Sequence, residues 1–234
     1  MHPLGMHARS LALLLTSVLV NLQAWAQSQP AAAEMTRDNF MVVVRETIGA
    51  NRTEESLKPT GKVKAKLSDG KEIEFELASW EFIGDTHIRF VFDGPQSMRN
   101  ATPQDLEKLG IASVEDALAL ALVNIKRVYG EPRTSPWEAG LIQVQGKSPD
   151  LDSSYFLDRA FWQGLTKAHP EGVVVSVAKR GGLLYVPLSN AKAVENLKRG
   201  VSYLHGSSGR LRVSGALFLF KDDHWSVFQP APKQ

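Results

Sequence analysis

The chain contains no cysteine, and this absence limits how it can fold. Disulfides, cysteine-ligated zinc and iron–sulfur clusters are all excluded as structural supports. The fold must therefore be held together by burial of apolar side chains. With 234 residues, of which 43% are hydrophobic, the chain is long enough to bury a substantial core. Thiolate catalysis and anchoring through a lipidated cysteine are excluded as well.

The first 26 residues have the pattern of a secretory signal peptide. Arg9 supplies a positive charge, an apolar run follows over 11–22, and Ala24-Trp25-Ala26 is a small-x-small cleavage site. The apolar run is too short to span a bilayer by itself. We therefore expect a signal peptide over 1–26, a flexible tether over 27–35, and a protein that is periplasmic or secreted.

The charge balance after this leader is close to neutral. Removing Arg9 from the 27 basic residues leaves 26, against 25 acidic residues. This balance argues against nucleic acid or an anionic membrane surface as the main partner. No later segment approaches the roughly 20 apolar residues of a membrane helix, so no integral span is expected after cleavage.

Two strictly alternating stretches, 62–66 and 72–76, predict a β-hairpin. A three-residue turn over 68–70 gives one apolar face and one charge-matched face, whereas a two-residue turn mixes them. In this register Val63 lies opposite Phe75, and we expect the apolar face to be buried. The lysines of the first strand then pair with the glutamates of the second: Lys62 with Glu76, Lys64 with Glu74, and Lys66 with Glu72.

The rest of the chain alternates between helical and strand patterns. Thr36 is placed to cap a first helix, and 114–129 is expected to be a central buried helix. Strands are expected at 86–93, 141–145, 173–178 and 183–187, and a closing hairpin at 216–220 and 224–228, which pairs Phe220 with Trp225. A short helix is expected after Thr102, and further helices are expected to begin at Asp152 or Ser153 and after Asn190.

These patterns predict an α+β fold, with a mixed, largely antiparallel sheet and packed helices. We expect a single domain over 36–229. Its N-terminal part, 36–83, would consist of the first helix and the hairpin, and the part from 84 to 229 would hold the remaining elements.

Several stretches after residue 84 resemble the YtpQ-like family of uncharacterised bacterial proteins. They are 84–93, 97–99, 102–111, 117–125 and 152–157, together with the unit around Arg180 and the closing hairpin with Trp225. The resemblance spans roughly 84–228 and implies a fold more than an activity, because the family carries no assigned one. Where the family tends to have Ser-Arg-Asp, this sequence has Lys179-Arg180-Gly181.

No familiar catalytic or metal-binding motif follows the leader. Its four histidines are far apart in sequence and form neither His-x-x-x-His nor His-Glu-x-x-His: His87, His169, His205 and His224. There is no Gly-x-Ser-x-Gly, and the Gly-Ser-Ser-Gly at 206–209 lacks the lysine of a phosphate-binding loop. We therefore predict no cofactor, no metal and no catalytic residue.

A group of basic and polar residues suggests an anion site. Arg99 precedes the helix start at Thr102, where free backbone N–H groups attract anions, and Arg180 lies beside two glycines. Guanidinium groups suit carboxylate and phosphate. We expect Arg99 and Arg180 to share a site, joined by three further polar residues: Arg89, Ser97 and Asn124. The alternative is that these are ordinary turn and surface residues.

The expected function is that of a non-enzymatic binding protein of the cell envelope. Its partner would be an envelope protein or a small anionic ligand. The alternative is a small hydrolase or transferase whose site residues are scattered along the sequence.

The leader supports a first prediction. The mature protein is expected in the periplasm or medium and should begin at Gln27, because cleavage follows Ala26. N-terminal sequencing of the purified protein checks this. Recovery of a cytosolic product that still carries Met1 would contradict it.

Overall fold

The structure is a computed structural model that describes residues 34–232. The predicted signal peptide and most of the predicted tether lie outside the described residues. Within the described part, twelve strands and four α-helices are joined by short 3-10 helices, and every strand pair is antiparallel. The α+β prediction is confirmed. None of the helices in this part is both long enough and apolar enough to cross a bilayer.

The elements have the following bounds. The strands are β1 Phe40–Glu46, β2 Lys62–Lys66, β3 Glu72–Glu76, β4 Ser79–Glu81, β5 Thr86–Asp93, β6 Met98–Asn100, β7 Arg133–Pro136, β8 Ile142–Gln145, β9 Val173–Val177, β10 Leu183–Pro187, β11 Leu217–Lys221 and β12 His224–Gln229. The α-helices are α1 Pro103–Lys108, α2 Val114–Tyr129, α3 Arg159–Thr166 and α4 Ala191–Ser207. The 3-10 helices are Glu138–Gly140, Asp152–Leu157 and Gly209–Leu211.

The first sheet is built around β5. β1 pairs with one edge of β5 over seven residues, from Phe40 opposite Phe92 to Glu46 opposite Thr86. β4 and β6 pair with the other edge, one after the other. The Phe40 and Phe90 rings stack at 5.1 Å between centroids, and both side chains are fully buried. The sheet is therefore anchored by apolar contacts at its centre.

The helix predicted to start at Thr36 is wrong, because this segment forms β1. Phe40 to Val44 are all buried, which the single apolar stripe of a surface helix would not produce. Their backbone groups pair with β5 instead of with one another. Thr36 bonds to the Asn39 side chain, and this bond shapes the turn before the strand.

The second sheet has the order β12-β11-β9-β10-β8-β7. β9 lies in its interior and is buried along its whole length, as its valine-rich sequence predicts. The closing hairpin has the predicted register, with Phe220 opposite Trp225, and it turns at Asp222 and Asp223, which both have positive φ. β7, for which the sequence analysis predicts no strand, forms the other edge of this sheet.

The predicted helix starts at Thr102, Ser113 and Asn190 are confirmed, since each side chain accepts a backbone N–H of the first turn. α2 occupies the predicted range and packs on β1. It buries one stripe instead of its whole circumference, because Val123 is 61% exposed. The helix expected after Asp152 begins as a 3-10 turn, and α3 follows it.

The hairpin of β2 and β3 has the predicted register throughout, including Val63 opposite Phe75 and Lys64 opposite Glu74. The prediction that its apolar face is buried is wrong. This two-stranded sheet pairs with neither of the other sheets, and Val63 and Phe75 are 44% and 39% exposed. Alternation sets which side chains share a face, but it does not guarantee that another layer covers that face.

The exposure of Phe75 leads to a second prediction. Phe75→Ala should reduce the free energy of unfolding by less than about 1 kcal/mol, since little buried apolar area is lost. The matched Phe90→Ala should cost about 3–5 kcal/mol, as is usual for a fully buried phenylalanine. Denaturant melts of both variants test this. Equal losses would show that the hairpin packs on a core in solution.

Candidate anion-binding site

Two arginines lie on one face of the first sheet. Arg45 on β1 is opposite His87 on β5, and Val43 is opposite Arg89, so the two arginines are diagonal neighbours on the same face. Both are partly buried. Together with Arg180, from the turn between β9 and β10, they line a cleft of about 540 Å³, which we call the first cleft.

Polar groups from other elements complete the first cleft. Ser97 precedes β6, Tyr129 ends α2, and Ser148 and Asp150 lie in the loop after β8. This loop packs tightly on the β9–β10 turn, because a Cβ added to Gly181 would lie only 3.1 Å from the Cβ of Pro149. The missing side chain thus admits the chain's own loop close to Arg180, where the sequence suggested a ligand.

The three arginines of the first cleft have no acidic partner at close range. Within residues 34–232, no carboxylate lies within ion-pair distance of Arg45, Arg89 or Arg180. Burial, reinforced by Arg180 and Arg89, lowers the pKa of Arg45 to about 10, and the more distant Asp150 opposes this shift. Burial also lowers the pKa of Arg89. The cleft therefore holds partly desolvated positive charge.

Arg89 is held by a histidine. One of its terminal nitrogens lies 3.1 Å from Nε2 of His87, and a guanidinium can only donate, so this Nε2 accepts. The proton of His87 is then on Nδ1, which donates to the Thr47 hydroxyl at 2.9 Å. Burial and the nearby Arg89, Arg45 and Arg52 lower the pKa of His87 to about 4. The Nε of Arg89 is buried and has no hydrogen-bond partner among the described residues.

The phenol of Tyr129 is engaged as well. It donates to the carboxylate of Asp93 at the end of β5. Burial and this carboxylate raise the pKa of Tyr129 to about 12. At neutral pH the phenol is therefore protonated and donates a hydrogen bond. This bond occupies one of the acceptor positions of the Asp93 carboxylate.

The structure distributes the predicted site residues unequally. Ser97 and Arg180 line the first cleft together with Arg89. Arg99 does not line it: Met98 and Asn100 do, and strand alternation turns the residue between them to the opposite face. There Arg99 approaches the Asp105 carboxylate at 3.7 Å.

Asn124 also lies away from the first cleft. It is buried in α2, and its side-chain amide donates to the backbone carbonyls of Arg37 and Phe40. These two bonds fasten the entry of β1 to the helix, which gives Asn124 a structural role.

Sequence reasoning missed Arg45 because its segment was interpreted as a helix. A signal was present, since Phe40-Met41-Val42-Val43-Val44 is a short continuous apolar run with three β-branched residues. Such a run is typical of a buried strand. Even if this segment had been predicted as a strand, Arg45 could be placed beside His87 and Arg89 only after β5 was known to be its pairing partner.

A second polar cluster lies at Glu46, Asp85 and His205, whose possible ligand atoms are all within 4.8 Å of one another. The carboxylate of Glu46 accepts from His205 at 2.9 Å and from Arg212 at 2.7 Å. Asp85 accepts from the Ser214 hydroxyl and the Gly215 backbone. Burial raises the pKa of Asp85. These hydrogen bonds join the end of β1 and the residue before β5 to α4 and the segment that follows it.

Comparisons of the chain with protein families, with curated proteins and with solved structures find no match. The resemblance to the YtpQ-like family stays a prediction from the sequence.

The buried neutral His87 leads to a third prediction. Its pKa of about 4 in the fold is below the ordinary 6.5, so the unfolded chain binds more protons between these values. Folding stability is thus lost as pH falls from 6.5 towards 4. The stability advantage of wild type over His87→Gln should shrink by roughly 2–3 kcal/mol over this range. Denaturant melts at a series of pH values test this, and parallel curves would contradict it.

Proposed function

We propose that this protein is a non-enzymatic binding protein, and that its ligand is a small molecule carrying a phosphate or carboxylate group. The ligand binds in the first cleft, between Arg45, Arg89 and Arg180. The single observation that carries this proposal is the convergence of three partly buried guanidinium groups that have no carboxylate partner at ion-pair distance.

Such a cluster costs free energy in the unliganded fold. Like charges repel, and partial burial removes water that would screen them. A bound anion offsets both costs. Its charge is attracted by all three guanidinium groups, and its oxygens replace the water that burial removed. Guanidinium groups present paired N–H donors that match the oxygens of phosphate and carboxylate.

The chemistry of the lining favours binding over catalysis. Arg45 is a cation and a donor at neutral pH even with its pKa lowered to about 10. Tyr129 stays protonated, and both ring nitrogens of His87 are used to hold Arg89 and Thr47. A general acid or base needs a pKa near the working pH and a free proton position, which these groups lack.

The predicted leader supports a setting outside the cytoplasm, in the periplasm or medium. The ligand would then be an anionic small molecule of the cell envelope or its surroundings.

The fourth prediction tests the proposal by thermal unfolding with inorganic phosphate as the probe. Phosphate should raise the Tm of wild type in a saturable way, because it binds only the folded state. Arg180→Ala should remove most of this rise, with about a tenfold loss of affinity. In buffer without phosphate its Tm should be unchanged or higher, because removing Arg180 relieves repulsion with Arg45.

Arg133→Ala is the matched control. Arg133 lies exposed on β7, the edge strand of the second sheet, and it does not line the first cleft. Its phosphate response should equal that of wild type. An equal rise in wild type, Arg180→Ala and Arg133→Ala would refute the proposed site, and so would the absence of any rise in wild type.

A further inference from the structure

A second cleft shares Arg45 and Arg89 with the first. It has a volume of about 480 Å³, and its other lining residues include Glu46, Arg210 and Arg212. The diagonal pair of arginines on β1 and β5 is therefore a common wall of two clefts.

The backbone explains how the remaining arginines come to surround this pair. The N–H of Arg180 donates to the carbonyl of Leu211 at 3.0 Å, and Lys179 forms a β-bridge with Arg212. The turn that carries Arg180 thus runs beside the segment that carries Arg210 and Arg212. Five arginines from four segments of the chain line the two clefts.

The charges of the two clefts do not cancel. Against the five arginines stand three carboxylates: Glu46, Asp93 and Asp150. Arg212 donates to Glu46 at 2.7 Å, and Tyr129 donates to Asp93, so two of these carboxylates are engaged within the protein. His87 is neutral, since its Nε2 accepts from Arg89. The clefts together carry a surplus of two positive charges, in a chain whose formal net charge is only +2.

We infer that the ligand carries two or more phosphate groups, one held in each cleft, with Arg45 and Arg89 between them. This inference rests on the proposed function and narrows its ligand class. Phosphate fits better than carboxylate, because guanidinium groups arriving from several directions need an acceptor with oxygens in a tetrahedral arrangement. The two oxygens of a carboxylate lie in one plane, whereas a phosphate has more oxygens and points them in several directions, so phosphate accommodates several guanidinium groups more readily.

Isothermal titration of the full chain with orthophosphate and tripolyphosphate tests the inference and gives the fifth prediction. Tripolyphosphate should bind wild type at least tenfold more tightly than orthophosphate, because it reaches both clefts. The decisive quantity is the ratio of these two affinities. Arg210→Ala should lower the ratio at least fivefold, since Arg210 lines only the second cleft.

Arg210→Ala is a suitable variant because Arg210 is exposed and follows α4 in a short 3-10 turn, so its removal leaves the core intact. Arg133→Ala is again the control and should keep the wild-type ratio. A wild-type ratio near one, or a ratio that Arg210→Ala leaves unchanged, would overturn the two-cleft inference. In that case orthophosphate binding that depends on Arg180 would still support the proposed function. No binding of either probe would refute both.

A ligand with several phosphates could be a phosphorylated saccharide or a condensed phosphate, and one further titration distinguishes the two. In glucose 1,6-bisphosphate a sugar ring separates the two phosphates, as in phosphorylated envelope saccharides, whereas in tripolyphosphate they are directly linked. Tighter binding of the sugar bisphosphate would assign the clefts to a phosphorylated saccharide, and tighter binding of tripolyphosphate to a condensed phosphate. Both results support a ligand with several phosphates, provided that each is weakened by Arg210→Ala.

Discussion

The pairing of β1 with β5 is the interaction on which the rest of the structure depends. It is the longest strand pair of the first sheet, with seven residues in register, and its apolar side chains are buried at the centre of the fold. It joins the segment before residue 50 to the part of the chain after residue 84. It also sets Arg45 diagonally beside Arg89, so the same hydrogen bonds that build the core create the basic wall of the clefts.

This arrangement places stability and the proposed function in opposition. Two buried side chains elsewhere have their hydrogen bonds satisfied: Asp85 accepts from Ser214 and Gly215, and Asn124 donates to two backbone carbonyls. The Nε of Arg89 has no hydrogen-bond partner among the described residues, and neither have the buried hydroxyls of Ser153 and Ser176. Arg89 differs from these two serines because it carries a positive charge and lies close enough to Arg45 for the two charges to repel. Buried charges in proteins are normally paired or bind an ion. The proposed ligand, with its several phosphates, would neutralise this positive charge.

Much of the local structure was predictable because it rests on near-neighbour physics. Strand alternation and turn length were sufficient for the register of the β2–β3 hairpin and of the closing hairpin. Capping was sufficient for the starts of α1 and α2. The predictions were wrong where the conformation or burial of a segment depends on a part of the chain that is distant in sequence. The β1 segment carries an apolar run that favours a strand, but its partner β5 lies about forty residues further along the chain and is not indicated by that run. The exposure of Phe75 depends in the same way on the absence of a layer over the β2–β3 hairpin, which local sequence does not reveal.

The site divides in the same way. The sequence is enough to show that the described fold contains no cysteine, and it predicted an anion site from Arg99 and Arg180 with three further residues: Arg89, Ser97 and Asn124. Strand pairing adds Arg45 to Arg89, Ser97 and Arg180 in the first cleft, and it turns Arg99 away from that cleft. It also brought Arg210 and Arg212 beside Arg180 through a backbone contact between segments thirty residues apart. The physical reason is that side-chain chemistry is local, whereas the convergence of charges is produced by strand pairing between distant parts of the chain.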